Sequence, residues 1–279
     1  MDTRIFICQM NPVLGDVEKN LKKHLNHIQQ AVNDGCKLIV FPELSLTGYS
    51  LKDQVFDVAL SRDSYVLKAL MEYSRNISII AGYVYEDERH MFYNAASYFE
   101  NGNIIHTHKK VFLPNYTMFE ESRYFAKGDI FKAFDTKLGR AGLLICEDAL
   151  HLSSVLILGR QNIDTLYVIS NSPARGIFED SFYPMEFWYN TLKYVATSFT
   201  INVVFVNRVG VEDGITFWGG SGYFAPNGRM LFNLPLMEED SGVVALSRKL
   251  LRRSRIHSPL LRDEDYNLIR KYLLREEEL

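Results

Sequence analysis

Short apolar runs that stop abruptly on a polar residue constrain this chain's fold more than any other feature. Lys37 to Phe41 ends on Pro42-Glu43, and Gly142-Leu143-Leu144-Ile145 ends on Cys146-Glu147-Asp148. Runs of this length, apolar throughout, read as buried strands of an α/β sheet. Other segments repeat the rhythm. Ile5 to Cys8, Ile77 to Tyr85, Leu166 to Ser170 and Ile201 to Val206 read as strands, as do Phe131 to Phe134, Ala141 to Ile145, Thr216 to Phe224 and Val243 to Leu246. Between them, Val17 to Asn33 carries Leu21, Leu25, Ile28 and Val32 at three- and four-residue steps. That spacing predicts a helix, with Gly35 placed to close it. Helices are also predicted over Arg62 to Arg75, Leu152 to Gln161 and Ser181 to Phe199. The last carries a stripe of Phe182, Met185, Tyr189, Leu192, Ala196 and Phe199 that suits packing on a sheet. Asn94 to Phe99 and Ile104 to His108 flank Asn101-Gly102, a hairpin signal, and Asn227-Gly228 is another. Helices alternating with strands, with hairpins mixed in, fit two sheets with helices outside them.

At 279 residues and 47% hydrophobic, the chain can bury a large core, and no Pro/Gly/Ser-rich stretch or charge run divides it. One domain over residues 1–250 is therefore expected, followed by a tail over residues 251–279. A net charge of -3 argues against a nucleic-acid footprint. Cys8, Cys36 and Cys146 form neither a disulfide framework nor a CxxC pair, which suits a reducing cytoplasm. Met1-Asp2-Thr3-Arg4 leads into a strand and does not read as a signal peptide, and no apolar run reaches membrane-spanning length.

Three strand ends carry chemistry. Glu43 follows a buried strand behind a proline, which fixes its direction. His106, His108 and Lys110 alternate with Lys109, so they share one face of a strand. His-x-His has no further ligand set of recognisable spacing, so no metal site and no cofactor are expected. Cys146 sits at a strand's C-terminal edge, where open α/β sheets place reactive groups. Brought together, a nearby ammonium favours the thiolate, a carboxylate can carry its proton, and lysine with a backbone N–H can hold an oxyanion. The tail holds a basic run, Arg252-Arg253-Ser254-Arg255, which reads as a solvated face. Beyond it Leu268, Ile269, Tyr272 and Leu273 form an amphipathic stripe.

Phe41-Pro42-Glu43, Lys110 in Lys110-Val111-Phe112-Leu113-Pro114, and Cys146-Glu147-Asp148 occur in the order Glu, Lys, Cys. Together they resemble the nitrilase superfamily of carbon–nitrogen hydrolases. The stretches Lys110 to Tyr116 and Phe119 to Phe125 look most like the glutaminase domain of glutamine-dependent NAD synthetases. The resemblance implies a four-layer αββα sandwich, assembled as a homodimer or higher homo-oligomer with the tail at the subunit interface. It implies Glu43, Lys110, Cys146 and Glu121 as catalytic residues, and Tyr116, Glu147, Ser172 and Arg175 as substrate contacts. Phe119 would also line the pocket, whereas Phe125 reads as ordinary packing. Gly219-Gly220-Ser221-Gly222 lacks the aspartate of the synthetases' ATP loop and reads as a strand bend, so this chain alone is not expected to make NAD. Leu150 stands where that branch often has an aromatic. The resulting expectation is a hydrolase of a small amide, working through a cysteine thioester and releasing ammonia. The alternatives are a glutaminase subunit serving a separate ATP-dependent synthetase, and a catalytically silent binding protein on the same fold.

Overall fold

The computed structural model describes residues 2–175, 177–178 and 181–273, with the side chains of 177, 178, 181 and 182 left aside. The chain runs β1 (Thr3–Gln9), α1 (Val17–Asn33), β2 (Leu38–Val40), α2 (Val55–Val58), α3 (Tyr65–Tyr73), β3 (Ser78–Glu86), β4 (Phe92–Glu100), β5 (Asn103–Lys109) and α4 (Glu121–Tyr124). Then follow β6 (Phe134–Thr136), β7 (Gly139–Ile145), α5 (Leu152–Arg160), β8 (Thr165–Ser170), β9 (Ile177–Phe178), β10 (Ser181–Phe182) and α6 (Tyr183–Ser198). The remainder is β11 (Asn202–Asn207), β12 (Val209–Glu212), β13 (Ile215–Trp218), β14 (Gly222–Phe224), β15 (Met230–Asn233), β16 (Asp240–Leu246), α7 (Arg248–His257), α8 (Leu260–Asp263) and α9 (Tyr266–Leu273).

Two six-stranded sheets form, in the orders β16-β1-β2-β3-β4-β5 and β15-β14-β11-β8-β7-β6. Strands β1, β2 and β3 are parallel, as are β7, β8 and β11, with antiparallel strands added at the sides. Side-chain alternation then builds the layers. Ile5 and Ile7 of one sheet meet Leu143, Ile145, Tyr167, Ile169, Val204 and Val206 of the other in a buried core between the sheets. Phe6, Cys8, Ile39 and Phe41 face the other way, onto α1 and α3. Leu144, Leu166, Val168 and Phe205 face α5 and α6. The result is the four-layer αββα sandwich.

Local chemistry sets the boundaries. Asp16 caps α1 by accepting from the Lys19 amide. At its other end Gly35 takes φ +69, and the amides of Gly35 and Cys36 bond the carbonyls of Val32 and Ala31, a Schellman closure. The deepest stripe of α1 is Asn20, His24, Ile28 and Ala31; Leu21, Leu25 and Val32 lie at its margin. Burial pushes His24 down to about 3, so its neutral ring bonds the Asn20 carbonyl and the Ser45 hydroxyl.

Several expectations are corrected, among them the helix expected over Ser181 to Phe199, which starts at Tyr183 because Ser181–Phe182 pairs as β10. The strand expected at Phe131 starts at Phe134, because a two-residue turn pairs β6 with β7 over Phe134–Thr136. The single strand expected over Thr216 to Phe224 is two strands, broken at Gly219 and Gly220, which take φ +74 and +60. Arg255, expected on a solvated face, instead bonds the Asp164 carboxylate at 2.9 Å and the Ile163 carbonyl at 2.7 Å. The stripe of α6 holds as Leu192 and Ala196 buried with Met185, Tyr189 and Phe199 packed beside them, while the Phe182 side chain lies outside the described residues. The tail helix α9 lies over α5, lining a cavity with Leu156, Ile157 and Arg160. Among the described residues no helix is long and apolar enough to cross a membrane, and no group of three or more His, Cys, Asp or Glu side chains is arranged to hold a metal.

Candidate active site

Strands β2, β5, β7 and β8 all end on one side of the sandwich, and each end delivers a polar residue there: Glu43, Lys110, Cys146 and Ser170-Asn171-Ser172. Backbone crowding fixes the first two. A Cβ on Gly82 of β3 would sit 2.5 Å from the Leu44 amide nitrogen, so the Pro42–Leu44 backbone crosses β3 at a place only glycine allows. A Cβ on Gly128 would likewise strike the Lys109 carbonyl. Changing Gly82 to alanine is expected to displace Glu43 and lower kcat by about 100-fold with little change in KM, since misplacement of about 1 Å has that effect. Steady-state kinetics beside a thermal melt checks this, and unchanged kcat contradicts it.

Glu43 and Lys110 are wholly buried and paired at 2.9 Å (Nζ to Oε1). Lys110 Nζ also donates to Glu121 Oε1 at 2.8 Å. The other oxygen of Glu43 accepts the Asn171 amide at 2.6 Å, and the Asn94 side chain donates to Oε1 at 2.7 Å. Glu121 sits at the start of α4 and receives the Tyr49 hydroxyl at 2.9 Å. Burial works against the Lys110 charge, but the carboxylates of Glu121 and Glu43 outweigh it and hold its pKa above the usual lysine range. Glu121 is pushed up to about 7 by burial, with Lys110 opposing and Glu43 reinforcing.

That shift has a stability consequence. A carboxyl with a raised folded-state pKa contributes stability fully present below its ordinary value of 4.5, and lost as pH rises through about 7. The difference in unfolding free energy between the natural chain and Glu121→Gln is therefore expected to fall from pH 4.5 to pH 8. Denaturant unfolding at several pH values checks it; a difference that rises over that window contradicts it.

Cys146 opens a short 3₁₀ turn, Cys146–Leu150, directly after β7, and takes φ +45, a left-handed backbone rare for a side-chain-bearing residue. Cys8 and Cys36 are buried in the helix-side core, whereas Cys146 keeps partial exposure. The Ser170 hydroxyl lies 3.3 Å from its sulfur. The expectation that a nearby ammonium favours the thiolate meets a stronger opposing effect. Burial, then the Glu43 charge, push the thiol well above its ordinary value, and Lys110 only partly opposes them. Cys146 is thus held as a neutral thiol.

Asp148, wholly buried, holds the turn to the Lys110 segment. Its oxygens accept the amides of Val111 and Phe112 at 3.0 and 2.8 Å and contact His108 Nε2 at 2.8 Å. His106 stacks on Phe134, so His106, His108 and Lys110 do share the inner face of their strand, with Lys109 turned outward over Tyr93.

A cavity of about 430 Å³ opens over Cys146, lined by Tyr116, Phe119, Glu147, Leu150, Ser172, Arg175 and Trp188 among others. All four expected contact residues therefore reach it. Tyr116 donates to Glu147 Oε2 at 3.0 Å. Ser172 accepts from the indoles of Trp188 and Trp218, at 3.1 and 3.0 Å. Arg175 is engaged at the rim, donating to Thr117 at 2.7 Å and lying over the Phe119 ring. Phe125 packs with Leu44, Leu51 and Val55 in a separate apolar cluster. Sequence reading missed Asn94, Tyr49, Ser170 and the Asn171 amide. Asn94 carried a usable signal, since asparagine is disfavoured inside a strand; Tyr49 carried none.

A synthetase of Thermotoga maritima described as glutamine-dependent NAD(+) synthetase is 31% identical over 85% of this chain and 41% of its own length. A probable nitrilase of Schizosaccharomyces pombe is 29% identical over 88% of each chain. The solved carbon–nitrogen hydrolase of Helicobacter pylori superposes with a TM-score of 0.86 at 22% identity, covering 98% of this chain and 99% of that one, a likeness of fold. The chain spans less than half the length of the synthetases that it matches. The carbon–nitrogen hydrolase family model matches residues 4–256, which takes in every strand end that delivers Glu43, Lys110 and Cys146, and the chain belongs to that family.

Proposed function

We propose that this protein hydrolyses a small amide through a thioester on Cys146, releasing ammonia. The observation that carries the reading is a strained thiol on the wall of a cavity, with the charges of the buried Glu43–Lys110–Glu121 cluster acting on its sulfur. In this reading the sulfur attacks the amide carbon while Glu43 accepts the thiol proton. Lys110 Nζ and the Glu147 amide hold the oxyanion, Glu43 passes its proton to the nitrogen, and the C–N bond breaks to give ammonia and the thioester. Glu43 then takes a proton from water as the oxygen attacks, the C–S bond breaks, the thiol regains its proton and the acid leaves. Glu121 steadies Lys110. Tyr116, Glu147, Ser172 and Arg175 choose the substrate. No cofactor or metal enters the scheme.

The test is an ammonia-release screen over glutamine, asparagine, ω-amides, carbamoyl amines and nitriles, with Cys146→Ala as control. Turnover of one class that vanishes in the control supports the reading; equal release from both chains sinks it.

A second reading, a glutaminase subunit serving a separate ATP-dependent synthetase, has one observation behind it. The chain matches less than half the length of relatives named glutamine-dependent NAD(+) synthetase. Such a subunit should be nearly idle alone and co-purify with an ATP-using chain. A silent binding protein is the weaker alternative, because such a protein has no need of a buried Glu–Lys–Glu cluster.

The tail is assigned to the interface of a homo-oligomer. Leu268, Tyr272 and Leu273 of α9 are exposed, an apolar surface for a second copy to cover. Truncation after Ser258 is expected to lower the mass seen by sedimentation; an unchanged mass contradicts the assignment.

A further inference from the structure

Arg208 is wholly buried and pairs with the buried Glu212 across β12, Nη1 to Oε2 at 2.7 Å. A buried ion pair is a poor source of stability, because removing two charges from water offsets their attraction. This pair holds something else. Glu212 Oε1 accepts two consecutive backbone amides, Tyr49 at 2.9 Å and Ser50 at 2.7 Å. Arg208 is fixed in turn by Asn11 Oδ1 at 3.1 Å and by the Phe217 ring, 4.3 Å from its guanidinium carbon. The Tyr49 ring meets the same Phe217 edge-on at 6.0 Å. Gly48, at φ +85, turns the chain here where a Cβ would meet Leu14 at 2.8 Å. Tyr49 is thus held at its amide and its ring, and its hydroxyl reaches Glu121 Oε1, the same oxygen that takes Lys110 Nζ. Glu121 Oε2 is buried without a hydrogen-bond partner, so the side-chain hydrogen bonds that set the direction of this carboxylate are those from Tyr49 and Lys110 at Oε1.

We propose that Arg208 and Glu212 are positioning residues: by gripping the Tyr49–Ser50 backbone they set the Tyr49 hydroxyl on Glu121, and through it orient Lys110. The inference rests on the amidase reading for its kinetic readout, and a second readout is independent of it. Tyr49→Phe, Glu212→Gln and their double variant are compared with the natural chain. One measurement is kcat and KM on an amide that the natural chain turns over; the other is the rate of Cys146 alkylation by iodoacetamide at pH 7, which needs no substrate. Each single variant is expected to lower kcat about tenfold with KM within about twofold, and to change the alkylation rate at least about threefold. The double variant should be no worse than either single one, because residues acting in series are not additive. Multiplying effects, or a lowered melting temperature with kcat and alkylation unmoved, overturn the proposal. If Glu212→Gln does not fold, Tyr49→Phe decides alone: an unchanged alkylation rate overturns it. A natural chain that turns over no amide defeats the amidase reading, and the alkylation comparison still decides this one.

Discussion

Replacing Cys146 with alanine is expected to lower amide turnover by at least about 10⁴-fold, the scale seen when a covalent nucleophile is removed, while the fold survives. The reason for survival is local. The sulfur's neighbour is a Ser170 hydroxyl at 3.3 Å, a weak contact, and alanine meets the same φ +45 backbone that cysteine already bears. The turn is held instead by Asp148, which keeps its bonds to Val111, Phe112 and His108. Turnover and melting temperature measured on one preparation separate the effects. Loss of turnover with a melting temperature shifted by only a few degrees is the expected pair of results. Retained turnover, or collapse of the fold, contradicts this account of the turn.

Lys110→Met is expected to lose both activity and stability, and the stability loss is the larger structural effect in the site. Lys110 lies between two buried carboxylates, at 2.9 and 2.8 Å. Removing the cation leaves those charges facing each other, and stripping one partner from a buried pair costs about 3–5 kcal/mol. Acidification should recover part of that loss. Glu121 is already pushed up to about 7 with Lys110 present, and Lys110 is what opposes the rise. Without the cation, Glu121 protonates at higher pH, and one of the two charges is removed. Denaturant unfolding at pH 5.5 and pH 8 checks the sign: the loss relative to the natural chain should be smaller at the lower pH.

How far the sequence revealed this arrangement depends on the kind of residue. Glu43 and Cys146 were legible because each stands just past the end of a buried apolar run. Lys110 was legible through the two-residue alternation with His106 and His108, which survives as one inner face. Two sheets with helices outside them were legible from helices alternating with strands and hairpins, the family resemblance implied the αββα order, and Ile5 and Phe6 do point to different cores. The break at Gly219-Gly220 was foreseen as a bend, but not the transfer of the chain from β13 to β14 in a different sheet, because alternation continues across it. The ionisation of Cys146 was misread because burial outweighs a nearby cation, and burial is a property of the assembled fold. Tyr49 and Glu212 were invisible for a similar reason: their partners lie 72 and 163 positions away along the chain.

The most direct test of covalent C–N cleavage at Cys146 is intact-mass spectrometry of the chain, quenched in acid during turnover of an amide. The account expects a mass increase equal to the substrate less ammonia, mapped to the peptide that carries Cys146 and absent from Cys146→Ala. Steady ammonia release with no adduct, or an adduct that remains when Cys146 is replaced, would contradict it.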